Sequence, residues 1–155
     1  MRSILGFSLL LTLATSCTAC ASAATGDQAS PAVELHGHLM RVEIAADNAA
    51  REHGLMDRTN MAPDRGMLFV FPDDDVRTFW MKDTLIPLDM LFFDAQGRLV
   101  TLRADVPPCK ADPCALYPST QPARYVLELN AGAAKRLGVH EGDVATFIDV
   151  PAATQ

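Results

Sequence analysis

The sequence predicts an α+β fold that is mainly β: a small barrel or sandwich of six to eight short strands with two short helices. Three observations predict it. The apolar runs are strand-sized and are separated by Gly, Pro and Asp. Only two segments carry the start and stop signals of a helix. Neither is long enough to serve a parallel array in which helices cross back over the sheet.

The 155 residues make one domain's worth of chain, and 49% apolar with 21% charged residues excludes disorder throughout. Nineteen acidic against 13 basic side chains give a net charge of -6. The lysines Lys82, Lys110 and Lys135 are scattered. Phosphate binding needs clustered Lys and Arg, so no nucleic-acid partner is expected.

Residues 1–23 read as a signal peptide. Met1-Arg2-Ser3 is a positive start, and Ile4 to Leu13 is an apolar run shorter than the ~20 residues a membrane span needs. Ala21-Ser22-Ala23 fits the small-x-small cleavage pattern. A lipid anchor on Cys17 or Cys20 is the competing reading, although Ala14-Thr15-Ser16 matches a lipoprotein box poorly. The expected location is periplasmic or secreted, or the cell envelope if a lipid is attached. Cleavage leaves Cys109 and Cys114, a pair expected to form a disulfide in an oxidising compartment. So small a loop adds only about 2 kcal/mol, so its purpose is to hold Lys110-Ala111-Asp112-Pro113 in one shape.

Residues 24–32 read as a flexible lead-in, 33–150 as one globular domain and 151–155 as a tail. Val33 to Ala45 alternates, with a change of phase before Val42, and reads as a strand or a bent pair of strands. Asp47 is a helix N-cap for Asn48 to His53, and Gly54 is its stop. Two turns cannot hold themselves, so packing must hold this helix. Gly66 to Phe71 is a strand stopped by Pro72, Asp73-Asp74-Asp75 reads as a hairpin tip rather than a calcium site, and Val76 to Met81 follows. Leu88 to Phe93 and Arg98 to Arg103 form a hairpin around Asp94-Ala95-Gln96-Gly97. Residues 104–122 carry both cysteines of the mature chain and many prolines, and read as one long loop. Tyr125 to Leu129 is a strand, Ala131 to Leu137 a helix ending at Gly138, and Val144 to Val150 a last strand. Asp143 reads as the structural aspartate of a Gly-Asp turn.

Four segments carry a resemblance: Glu52 to Arg58 (EHGLMDR), Asp64 to Phe71 (DRGMLFVF), Phe79 to Phe92 (FWMKDTLIPLDMLF) and Tyr125 to Gly132 (YVLELNAG). In that order and spacing the chain resembles the bacterial and archaeal family known as domain of unknown function 192, over roughly residues 38 to 150. The resemblance implies a compact β-rich domain, often exported, and no activity. The family usually has Asn where this chain has Asp83.

Chemistry concentrates in the third segment. If Phe79 and Met81 face the core, Trp80 and Lys82 share the opposite face. An indole beside a lysine, with Asp83, Thr84 and Asp89 near, suits a saccharide or small polar ligand: a flat apolar platform with hydrogen-bonding groups around it. The competing account makes Trp80 core and Lys82 a solvated edge charge. Asp89, between Pro87-Leu88 and Met90-Leu91, is expected to be partly buried and to need a partner, either a ligand or a backbone amide. Arg58 is expected to reach an anionic group or Asp89, or else to form a surface ion pair.

Two other classes stay open. A hydrolase would pair Asp83 with Asp89 or Glu128, the first choice being Asp89 with a second carboxylate. A soft-metal (copper) protein would use Met40, Met56, Met61, Met67, Met81 and Met90 with His36 and His38, although methionines in apolar runs fit core packing equally well. No Gly-x-Ser-x-Gly, His-Glu-x-x-His or phosphate-cradling loop occurs. The sequence therefore favours an exported binding or accessory module of the cell envelope, with no cofactor and an open oligomeric state.

Overall fold

The computed structural model describes residues 30–154. The expected leader, Cys17, Cys20 and most of the lead-in lie outside the described residues. The elements are, in chain order, β1 (Ala32–Leu35), β2 (His38–Ala45), α1 (Asn48–His53), β3 (Arg65–Asp75), β4 (Thr78–Trp80), β5 (Leu88–Phe93), β6 (Leu99–Val106), β7 (Leu116–Pro118), β8 (Ala123–Asn130), α2 (Ala133–Leu137) and β9 (Thr146–Ile148). Seven strands form one sheet in the order β6-β5-β8-β3-β2-β1-β9, and β4 and β7 form a second, two-stranded sheet. The expected mainly β architecture stands, with nine strands among the described residues rather than six to eight. Only β2 and β3 run parallel, and α1 lies in the connection between them.

The large sheet curls into a half-barrel. Its two edges meet at one end, where the amides of Leu99, Gly142 and Ala145 donate to the carbonyls of Asp143, Leu99 and Gly97, each at 2.8 Å. Closing an edge in this way removes the unpaired backbone that an open sheet exposes. Asp143 accepts the His140 amide at 2.7 Å, the structural role expected of it.

Both faces of this sheet are covered, which is why β5 is buried at all six positions and reads as an unbroken apolar run. Inside the curl lie Val33, Leu68, Leu91, Phe93, Leu127 and Leu129, with α2 packed against them. On the outer face lie Met67, Phe69, Met81, Met90, Phe92 and Val126. The methionines Met67, Met81 and Met90 are thus core residues. Among the described residues no helix is long and apolar enough to cross a membrane.

Local signals hold at most elements. Asp47 Oδ1 accepts the Ala50 amide at 2.8 Å and starts α1, and Gly54, at φ 50°, ends it. Tertiary contact secures that helix: the Arg51 guanidinium donates to the carbonyls of Ala46 at 2.6 Å and Val70 at 2.8 Å. Asp94 Oδ1 accepts the amides of Gln96 and Arg98 and pins the β5–β6 turn. Cys109 and Cys114 form the expected disulfide. The phase change before Val42 is a hairpin turn at His36-Gly37 between β1 and β2.

Three expectations are corrected. Asp73-Asp74-Asp75 is no hairpin tip: β3 runs through Pro72 to Asp75, and β4 pairs with β7. Pro72 is tolerated because the ladder to β8 breaks between Val70 and Asp75, where no donor is required. The stretch 104–122 is not one loop, since β6 extends to Val106 and β7 lies within it. His36 and His38 do not share a strand face. His36 sits in the turn with Nε2 3.0 Å from Asp143 Oδ2, while His38 opens β2.

Candidate functional site

Three pieces of chain frame a cleft on the outer face of the sheet. One wall is α1, which presents Arg51, Glu52 and His53. The other is β4, which presents Trp80. A turn from Met81 to Thr84 closes one end, with the Thr84 amide donating to the Met81 carbonyl at 3.2 Å. Strand alternation sets the side chains of β4 and the turn: Met81 is buried, Phe79 packs edge-on against Phe69 and Phe92, and Trp80 stays 48% exposed. Lys82 follows Trp80 onto the same face, its Nζ 5.4 Å from the indole centroid. That is cation–π distance.

Asp83 turns the backbone at φ 53°. Among residues with a side chain, Asn and Asp enter that region most readily. Asp83 meets that backbone requirement. Its carbonyl accepts the Asp57 amide at 2.8 Å, which ties the turn to the segment after α1. Thr84 is buried and its hydroxyl donates to the Lys82 carbonyl at 3.3 Å.

The cleft is open and shallow at Trp80, Lys82 and Asp83, with about 670 Å³ of room along α1. It narrows inward to a well of about 30 Å³, the space of a water or two. Gly54, Leu55, Phe69, Phe79, Thr84 and Glu128 surround that well. On the far side of Lys82 and Asp83 the Cys109–Cys114 loop forms a rim with Lys110 and Asp112.

Glu128 is the unusual member. It is 4% exposed, and burial in an apolar strand pair pushes its carboxyl up to about 8. No charged or hydrogen-bonding neighbour offsets that burial. Among the described residues no side-chain oxygen or nitrogen is sealed off without a partner, so the outlet of this carboxyl is the well it lines.

Of the residues singled out in the sequence, Trp80, Lys82, Asp83 and Thr84 line this cleft. Asp89 does not join them. It is fully buried, and its Oδ1 accepts the amides of Asp105 at 2.8 Å and Gly132 at 3.1 Å while Oδ2 accepts that of Ala134 at 2.8 Å. Those bonds fix a left-handed residue in β6 and the start of α2, so the carboxylate is spoken for by backbone. Asp89 is therefore not available to a hydrolytic pair. Arg58 is engaged elsewhere too, in a two-pronged pair with Glu43 at 2.6 and 2.7 Å. Glu43 holds that guanidinium above its usual range. Sequence reasoning gave α1 no part in the site. Its Glu52-His53-Gly54 does stand in the first of the four family-like segments, and that was the available signal.

No curated protein matches the chain. A solved structure from Sinorhizobium meliloti 1021, described as a candidate transcription regulator, is 42% identical, with 76% of this chain and 91% of that one covered at a TM-score of 0.69. A protein of unknown function from Novosphingobium aromaticivorans DSM 12444 is 36% identical, with 75% and 82% covered at a TM-score of 0.68. The family model for domain of unknown function 192, described as an uncharacterized ACR, matches residues 31–147, and the chain belongs to that family.

Proposed function

We propose that this chain is an exported binding module of the cell envelope whose ligand, a small polar molecule or saccharide, occupies the cleft between α1 and β4. The observation that carries the reading is Trp80, the only tryptophan in the chain, standing 48% exposed with the Lys82 ammonium over its ring. A solvent-facing indole costs apolar exposure and is the platform on which a sugar face stacks. Lys82, Thr84 and Asp83 supply hydrogen-bonding groups beside it, and the stapled loop Cys109–Cys114 gives one rim a fixed shape, which limits the ordering cost of binding. Export is supported by the leader-like residues 1–23 and by the disulfide.

Trp80 reports on its own site. Titrating the oxidised domain with neutral oligosaccharides is expected to give a saturable change in Trp80 emission, with Trp80→Ala abolishing the heat of binding in calorimetry. Saturable quenching by one equivalent of silver(I) with no response to saccharide would overturn the reading in favour of soft-metal binding.

A further inference from the structure

We propose that Glu128 is the deepest ligand-contacting residue of the cleft, a carboxylic acid that exchanges hydrogen bonds with one hydroxyl of an uncharged polyhydroxylated ring. The inference deepens the binding reading above and rests on it.

The geometry of the well sets the argument. Glu128 stands on β8 opposite Met90 of β5 and Met67 of β3, so its strand neighbours offer no donor. Facing it around the well are Arg51, Glu52 and His53 from α1, Phe79 and Trp80 from β4, Lys82 and Thr84 from the turn, and Phe69 from β3. Arg51 is already committed to the carbonyls of Ala46 and Val70 and to Asn48, and Thr84 to the Lys82 carbonyl. Among the described residues no protein group hydrogen-bonds to the carboxyl, and it is not sealed off: it opens into the well, where a ligand group can take the place of solvent.

Size and charge then choose the ligand group. A space of about 30 Å³ admits a single small polar group and not a ring. A neutral carboxylic acid offers one donor and one acceptor, which is what a hydroxyl offers in return. At the rim Glu52 and Asp83 oppose Arg51 and Lys82, so the cleft selects neither an anion nor a cation. A ring stacked on Trp80 at the cleft mouth would direct one hydroxyl inward. The protonated state of Glu128 at neutral pH, set by desolvation, fits this exchange.

The test follows the ¹³C carboxyl resonance of Glu128 together with Trp80 emission while cello- and chito-oligosaccharides, then acetate and ethylammonium, are added. The expected result is that a neutral sugar moves both signals with one saturation curve. Raising the pH from about 6 to about 9.5 should weaken binding by about tenfold, as the acid loses its proton. Glu128→Gln, which keeps a donor and an acceptor, should bind with no such pH dependence, and Glu128→Leu should bind weakly at every pH. A sugar that moves Trp80 but leaves the Glu128 resonance untouched would overturn the role of Glu128 and leave the binding module standing. A response to acetate or ethylammonium in place of sugars would overturn the ligand class. Silence of both signals to every sugar would overturn both readings.

Discussion

Asp89 and Glu128 lie one register step apart on neighbouring strands and face opposite sides of the sheet. Asp89 pairs with Leu129 and Glu128 with Met90, and successive side chains on a strand alternate between faces. Asp89 therefore points into the curl, where it meets backbone amides of β6 and α2. Glu128 points outward into a cleft with no partner. Two carboxylates in similar apolar strands thus have opposite consequences: one holds the fold together and the other is a cost to it.

Replacing Asp89 with Asn should destabilise the domain by roughly 2–4 kcal/mol. The amide loses the charge that strengthens three backbone bonds and turns a donor toward one of them. Urea unfolding followed by far-ultraviolet circular dichroism measures the loss. Trp80 emission of the folded variant should be unchanged, because Asp89 lies across the sheet from the indole.

Glu128 should make stability fall with rising pH. Its folded value of about 8 lies above the ordinary 4.5, so the unfolded chain releases its proton first. The contribution is complete below pH 4.5, is lost progressively as pH rises, and is gone above about 8. The total is on the order of 5 kcal/mol. Denaturant midpoints of wild type and Glu128→Gln across this range should converge at acidic pH and diverge at alkaline pH, with the wild type the weaker there.

Gly54 should resist substitution. Its φ of 50° strains any side chain, and a Cβ there would sit 3.1 Å from Phe69 Cζ, at the wall of the well. Gly54→Ala should cost roughly 1–3 kcal/mol. Thermal melting would show the loss, and a shift in Trp80 emission would report Phe69 displaced into the cleft.

Asp83 offers a contrast between backbone and charge. Asp83→Asn should leave stability within about 0.5 kcal/mol, since both residues tolerate the left-handed region. Asp83→Ala should cost about 1 kcal/mol in a melt, because it forces an ordinary side chain into that turn. Equal costs for the two variants would show that the carboxylate matters more than the backbone.

What the sequence determined by itself was local. The caps Asp47 and Gly54, the turn Asp94 to Gly97, the disulfide pair and the outward phase of Trp80 and Lys82 were all legible. Each depends on residues within a few positions of one another, where backbone preference and period-two alternation act directly. Family membership was legible for the same reason, in four short segments. What only the tertiary structure decided was pairing over distance. That β4 joins β7 rather than β3, that Arg58 meets Glu43, and that Asp89 is used by backbone while Glu128 is left free all follow from strand order and register. Those are set by how both faces of the curled sheet are covered, and α1 enters the site only through that covering. An apolar strand that carries one carboxylate reads the same in sequence whichever face the carboxylate takes, and the face decides its chemistry.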